Sequence, residues 1–217
     1  KYNNEQKEIE NLIQDLQELD VVFPVLHGKY GEDGTIQGML EMLKIPYVGC
    51  KVLASSVGMD KVYSKIIFEK AGIPQTPYVY IQKKNNTYKI IKDNFEEENL
   101  QLYKIAEKLK FPMFVKPSNS GSSVGDKKAN NIDELEQAIE NAGKYDTKIL
   151  VEQGINGKEV ECAILDDRQS KEVIASTVGE IISAEEFYSF DAKYNMTESK
   201  TLIPAQKENN QIVKIKQ

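Results

Sequence analysis

The hydrophobic pattern of this chain switches repeatedly between helical and extended periods. Ile9, Leu12, Ile13, Leu16 and Leu19 recur at the spacing of one helix face, and the run "VVFPVL" that follows is continuously apolar, as a buried strand is. After the loop "HGKYGEDG", Ile36, Met39, Leu40 and Leu43 fall on one helical face. Asp60 is placed to cap a helix over "KVYSKIIFEKAG", with Val62, Ile66 and Ile67 inward and Gly72 and Pro74 stopping it. "YVYI" predicts a strand, the polar "KKNNTYKIIKDNFEEEN" a loop holding a short strand or turn, and "LQLYKIAEKL" a helix. "FPMFVKP" predicts another strand, because the proline after Lys116 biases that lysine to extended geometry. Asn131 with Glu134 reads as a capping box for "IDELEQAIENA", whose Ile132, Leu135, Ala138, Ile139 and Ala142 share a face. "KILVEQ", "KEVECAIL" and "EVIASTVGEI" are the remaining strands. In the second, Val160, Cys162 and Ile164 alternate with Glu159, Glu161 and Ala163, so one face is expected to be buried. The tail from Ser183 to Gln217 has little period, and its "FYSFDAKYNMTESK" has the composition of a functional loop.

Helix followed by buried strand argues for α/β architecture, and 217 residues suffice for one large domain or two small ones. The 40% hydrophobic and 29% charged fractions exclude a disordered chain. No apolar run approaches the roughly 20 residues that span a bilayer, and nothing resembles a signal peptide, so a cytoplasmic location is expected. A net charge of -6 argues against general affinity for nucleic acid or an anionic membrane. Cys50 and Cys162 lie far apart beside apolar residues, which predicts two reduced, buried thiols and neither a disulfide nor a metal cluster. The chain opens on Lys1, with no initiator methionine, which points to sequence upstream.

Three apolar runs end in an ionisable group: His27, Lys116 and Glu152. Ligands of open α/β sheets collect at such strand ends, although each residue also has an ordinary reading as an edge-blocking, solvated or structurally hydrogen-bonded group. Beside Lys116, "GSSVG" fits the G-x-S-x-G elbow with Ser123 as nucleophile. A hydrolase of that type needs a histidine downstream, and the only histidine lies upstream at position 27. The Walker A pattern fails too, since Gly121 and Gly125 are too close and Asp126 follows where lysine is required. What remains is a loop whose small side chains let backbone N–H groups approach an anion, with Ser122 and Ser123 as hydroxyl donors. Lys116 would neutralise charge beside it. Lys61, at a helix start where a cation is normally unfavourable, is a second candidate phosphate ligand. With Glu152 near a base or ribose, this set suits ATP.

"HGKYGEDGTIQG", "MDKVYSK", "FVKPSNSGSSVG", "VEQGINGKEVECAIL" and "FYSFDAKY", in this order, closely resemble the D-alanine:D-alanine ligase family of ATP-grasp enzymes in bacterial peptidoglycan synthesis. The resemblance runs from about Asp20 to Pro204. It implies an α/β N-terminal domain with an incomplete parallel sheet (residues 1–60). After it would come an α+β ATP-grasp domain of two subdomains (61–154 and an incomplete 155–217) that hold ATP between them. It implies Lys61 and Lys116 on the nucleotide phosphates, Ser122 and Ser123 in the closing loop, Glu152 and backbone through Ile155 at the adenine, and Glu159 at the ribose. His27 would lie near the first D-alanine. Lys193 and Tyr194 match the lid loop, with Tyr194 closing the site through Ser122. The implied reaction joins two D-alanines through an acyl phosphate, with Mg2+ or Mn2+ whose ligands are expected beyond Gln217. A homodimer is expected by the same resemblance. Lys29 and Asp126 depart from the pattern, and an acidic Asp126 suits a phosphate loop only if it points outward. The opening glycine-rich turn and the C-terminal arginine and metal ligands are expected outside these residues, so the fragment alone is expected not to turn over. Ligases placing D-lactate or D-serine second share most of the motifs, with Tyr194 favouring an amine acceptor. Another carboxylate-amine ligase, or a non-catalytic nucleotide-binding relative, are the further alternatives.

Overall fold

The computed structural model describes residues 11–167, 172–182, 200–206, 212 and 215. The chain forms two compact units, residues 1–154 and 155–217. In the first, helix α1 is described over residues 11–17, and α2 (Thr35–Met42), α3 (Val52–Met59) and α4 (Lys61–Lys70) follow. The apolar run at residues 21–26 forms no continuous strand among the described residues. Val22 makes an isolated parallel bridge to Tyr47, while Phe23 and Val25 are each 71% exposed. Among the described residues, the hydrogen bonds that reach this run come from one side, between Val22 and residues Pro46 and Val48.

The centre of this unit is a six-stranded antiparallel sheet of order β3-β2-β1-β6-β4-β5. Its strands are β1 (Tyr78–Lys84), β2 (Thr87–Ile91), β3 (Glu97–Asn99), β4 (Met113–Pro117), β5 (Lys127–Ala129) and β6 (Lys148–Gln153). Helices α5 (Leu102–Leu109) and α6 (Ile132–Ala142) cover one face. The period of two sorts the side chains: Val79 and Ile81, Met113 and Val115, and Ile149 and Val151 join Ile105, Leu109, Leu135 and Ile139 in the core. Each such side chain, fully buried, contributes about 1.5–3 kcal/mol. The same alternation puts Tyr78, Phe114, Lys116 and Glu152 on the opposite face, where Tyr78 and Phe114 flank Glu152 in register.

The expected cap at Asn131 forms, with the reciprocal Glu134 bond shifted to the residue before it. Asn131 Oδ1 accepts from Glu134 N–H at 2.9 Å, and the Glu134 carboxylate accepts from the backbone N–H of Asn130 at 2.8 Å. The polar stretch expected as a loop is instead the β1–β2–β3 meander. It turns at Asn85 and Asn86, whose φ values of 47° and 61° are the left-handed pair of a two-residue hairpin.

In the second unit, β7 (Glu159–Glu161), β10 (Gly179–Ile182) and β11 (Lys200–Leu202) form an antiparallel sheet of order β11-β10-β7, and β8 (Ile164–Asp167) pairs with β9 (Glu172–Ala175). The single strand expected over residues 158–165 therefore divides. Ser176 Oγ accepts from Ala163 N–H at 2.9 Å and Ser176 N–H donates back to the Ala163 carbonyl, so the chain changes partners there. The alternation fails with it: Ile164 is 62% exposed. The two thiols are free, but Cys50 is exposed and Cys162 half-buried, not buried as expected, because each lies outside the packed faces of its unit.

Candidate functional site

Asp60 organises one end of the first unit. Its Oδ1 accepts from the N–H groups of Val62 and Tyr63 at 3.1 and 3.2 Å, capping α4, and from Ser118 Oγ at 2.6 Å. Its Oδ2 is ion-paired with Lys148. Ser118 Oγ in turn accepts from Val62 N–H, and Lys61 N–H donates to the Ser118 carbonyl. The start of α4, the end of β4 and the start of β6 are thereby tied at one carboxylate, with Lys61 at the knot.

The Lys61 ammonium donates to the carbonyls of Pro117 at 3.3 Å and Ser120 at 2.5 Å, which places it at the base of the Gly/Ser loop. Burial pushes it below the usual lysine value, Lys116 adds to that, and Asp126, Glu152 and Asp146 oppose it. Glu152 is held between two lysines, with Oε1 2.7 Å from Lys65 and Oε2 2.7 Å from Lys116. Burial pushes its carboxyl up, and the charges and hydrogen bonds of Lys116 and Lys65 outweigh burial, so it lies below the ordinary 4.5. A depressed carboxyl contributes stability that is present above its unfolded value and lost as pH falls through the folded one. Urea unfolding below pH 4.5 is thus expected to show a shallower acid loss for Glu152→Gln than for the wild type. Equal slopes would remove Glu152 from the acid response.

In the loop itself Ser122 and Ser123 have φ values of 52° and 58°, and Gly125 one of 84°. Two consecutive non-glycine residues in the left-handed region are uncommon, a mark of functional sites. The loop is held internally by Ser120 Oγ to the Val124 carbonyl at 2.9 Å and Val124 N–H to the Gly121 carbonyl at 3.1 Å. Gly121 also explains its own identity: a Cβ there would stand 2.9 Å from Gly28 Cα, so the Gly/Ser loop packs against the "HGKYGEDG" loop. In that second loop the acidic residues serve the backbone. Glu32 accepts from Gly28 N–H, and Asp33 from Tyr30 and Thr35 N–H at 2.9 and 3.0 Å.

The structure therefore brings Lys61, Lys116, Glu152, Ser122 and Ser123 into one unit, with exposed His27 in the adjoining loop. Ile155, 65% exposed, and exposed Glu159 on β7 belong to the second unit. Lys193 and Tyr194 lie outside the described residues. Asp126 does not point outward: its Oδ1 is inaccessible to solvent and its charge acts on Lys61, favouring the ammonium. Lys29, the other departure, has its ammonium 5.1 Å from the centre of the exposed Tyr30 ring. Lys65, four residues after Lys61 and so on the same helix face, is the site residue that strand-end reasoning passed over. Among the described residues no group of three or more His, Cys, Asp or Glu could hold a metal, and no helix is long and apolar enough to cross a membrane.

The sequence model described as the D-ala D-ala ligase C-terminus matches residues 67–217, and the one described as the N-terminus matches residues 1–50. The chain belongs to the D-alanine:D-alanine ligase family. It is 55% identical over 187 residues to the D-alanine--D-alanine ligase of Acetivibrio thermocellus, covering 86% of this chain and 47% of that protein. With the corresponding ligase of Clostridium acetobutylicum the identity is 49% over 199 residues, 92% of this chain and 55% of the relative. The chain thus spans about half the length of the curated relatives it matches. Among solved structures, the VanG D-Ala:D-Ser ligase from Enterococcus faecalis superposes with a TM-score of 0.73 at 37% identity, over 91% of this chain and 53% of that one. The Bacillus anthracis D-alanine--D-alanine ligase gives 0.71 at 33%, over 93% and 59%. The mixed helices and antiparallel sheets described above accordingly belong to the ATP-grasp fold of this ligase family.

Proposed function

We propose that the protein to which these residues belong joins two D-alanines at the expense of ATP, supplying peptidoglycan synthesis in the cytoplasm as a homodimer. The observation that carries this reading is the Lys61 ammonium seated on the Pro117 and Ser120 carbonyls beneath the Gly/Ser loop, in a chain of this ligase family. A carboxylate is a poor acyl donor. Transfer of the ATP γ-phosphoryl group to an oxygen of the first D-alanine makes an acyl phosphate and releases ADP. The amine nitrogen of the second D-alanine then attacks the carbonyl carbon, loses a proton, and expels phosphate. Lys61 and Lys116 offset the charge crowded on the phosphates, and Ser122 and Ser123 with the loop N–H groups hydrogen-bond the transferring group. Glu152 and backbone through Ile155 meet the adenine, Glu159 the ribose, and His27 the first D-alanine. Tyr194, with Lys193 beside it, closes the site onto Ser122 and excludes water, which would hydrolyse the intermediate. Mg2+ or Mn2+ would neutralise phosphate charge; the described residues do not make its site. Residues 1–60, 61–154 and 155–217 would be the N-terminal part and the two ATP-grasp subdomains.

The similarity to a D-Ala:D-Ser ligase keeps a second acceptor in view. Phosphate release by the full-length protein, with ATP, magnesium and D-alanine alone or mixed with D-serine or D-lactate, separates these readings. Release with D-alanine alone, yielding D-alanyl-D-alanine, is expected. A mixed product as the main one would reassign the acceptor, and no D-alanine-dependent release would sink the proposal.

A further inference from the structure

Each oxygen of the Glu152 carboxylate takes a different lysine, and the two lysines are held differently. Lys65 is anchored apart from Glu152. Its ammonium donates to the Thr76 carbonyl at 3.3 Å and lies 5.0 Å from the centre of the Tyr78 ring, while its own carbonyl accepts from the Gln75 side chain at 2.8 Å. Its side chain is 12% exposed, against 25% for Lys116. Lys116 comes from β4, two residues before the loop that starts at Ser118.

We propose that Lys65 is a positioning residue of the nucleotide site: a standing counter-ion that keeps Glu152 ionised and in place when Lys116 leaves it for a phosphate. This role rests on the reading of Lys116 as a phosphate ligand given above. Removing one partner from a buried ion pair leaves an uncompensated charge, which is strongly unfavourable. With Lys65 present, the carboxylate keeps one short ion pair throughout, so Lys116 changes partner at lower cost. Lys65 also offsets the repulsion between Glu152 and an incoming polyphosphate. Without it, Glu152 holds Lys116 as its remaining lysine partner, and phosphate must compete for that ammonium. The base still finds Glu152 in place, because Lys116 pins it.

Calorimetric binding of ATP and of adenosine to the full-length protein tests this, with Lys65→Met, Lys65→Arg, Glu152→Gln and the Lys65→Met/Glu152→Gln pair. Lys65→Met is expected to weaken ATP about tenfold or more while adenosine changes less than about twofold, and Lys65→Arg to restore ATP. In the Glu152→Gln background, Lys65→Met is expected to change ATP binding little, because the carboxylate it serves is gone. Equal losses for ATP and adenosine, or the same effect of Lys65→Met in both backgrounds, overturn the role of Lys65. Failure of the wild type to bind ATP overturns the ATP reading itself and this role with it. A readout without nucleotide is carboxyl NMR titration of Glu152 in Lys116→Met. Its pKa there is expected to lie below that in the Lys65→Met/Lys116→Met pair, because Lys65 still favours the carboxylate, and equal values contradict the proposal.

Discussion

Replacing Lys116 by methionine is expected to lower kcat/KM for ATP in the full-length protein by about 10²–10³-fold, the loss typical of removing one preorganised group aimed at developing charge. A period of two sets Lys116 on the face away from the core, one quarter exposed, its ammonium paired with Glu152 next to the Gly/Ser loop. Under the proposed function, removing it deletes a positive charge where phosphate charge accumulates. It does not strand Glu152, because Lys65 stays 2.7 Å from the other oxygen. The variant is therefore expected to fold, with an unchanged circular dichroism spectrum, and to fail in the chemistry. Steady-state kinetics with ATP as the varied substrate checks this, and a loss under about threefold would remove Lys116 from the phosphate site.

The largest structural effect is expected at Asp60. Its side chain is 7% exposed and serves two backbone N–H groups, the Ser118 hydroxyl and the Lys148 ammonium. Asp60→Ala removes the helix cap and leaves a partly buried lysine, 22% exposed, without its carboxylate. Truncating one partner of a buried ion pair typically costs about 3–5 kcal/mol, and the exposure of Lys148 argues for the lower end. Asp60→Asn keeps the capping acceptor and loses the charge, so it is expected to fall between the wild type and Asp60→Ala. Urea unfolding is the check: a lower midpoint at unchanged slope in the order Asp60, Asn, Ala. Indistinguishable midpoints would mean that the knot at α4 carries little of the stability.

What the sequence made legible was local chemistry. The Asp60 and Asn131 caps, the helices over residues 102–109 and 132–142, and the Lys116 and Glu152 strand ends follow from spacing and from bonds a few residues long. What it hid was tertiary. Lys65 lies in the middle of α4, and nothing in its neighbours announces a partner 87 positions away in Glu152. Asp126 reads as an intruder in a phosphate loop until its charge is found acting on Lys61. The run at residues 21–26 has strand composition, but strands are completed by neighbours, and one parallel bridge is what the described residues supply. The Asn85–Asn86 pair was a readable hairpin signal inside a stretch whose polarity suggested a loop.

The proposed reaction has the full-length protein activate a D-alanine carboxylate by phosphorylating it. The direct measurement is isotope transfer. D-alanine labelled with 18O in its carboxylate is incubated with ATP, magnesium and the full-length protein, and the released phosphate is analysed by mass spectrometry. One 18O atom per phosphate, in step with D-alanyl-D-alanine formed, is the predicted result. Dipeptide accompanied by phosphate free of 18O would contradict the account.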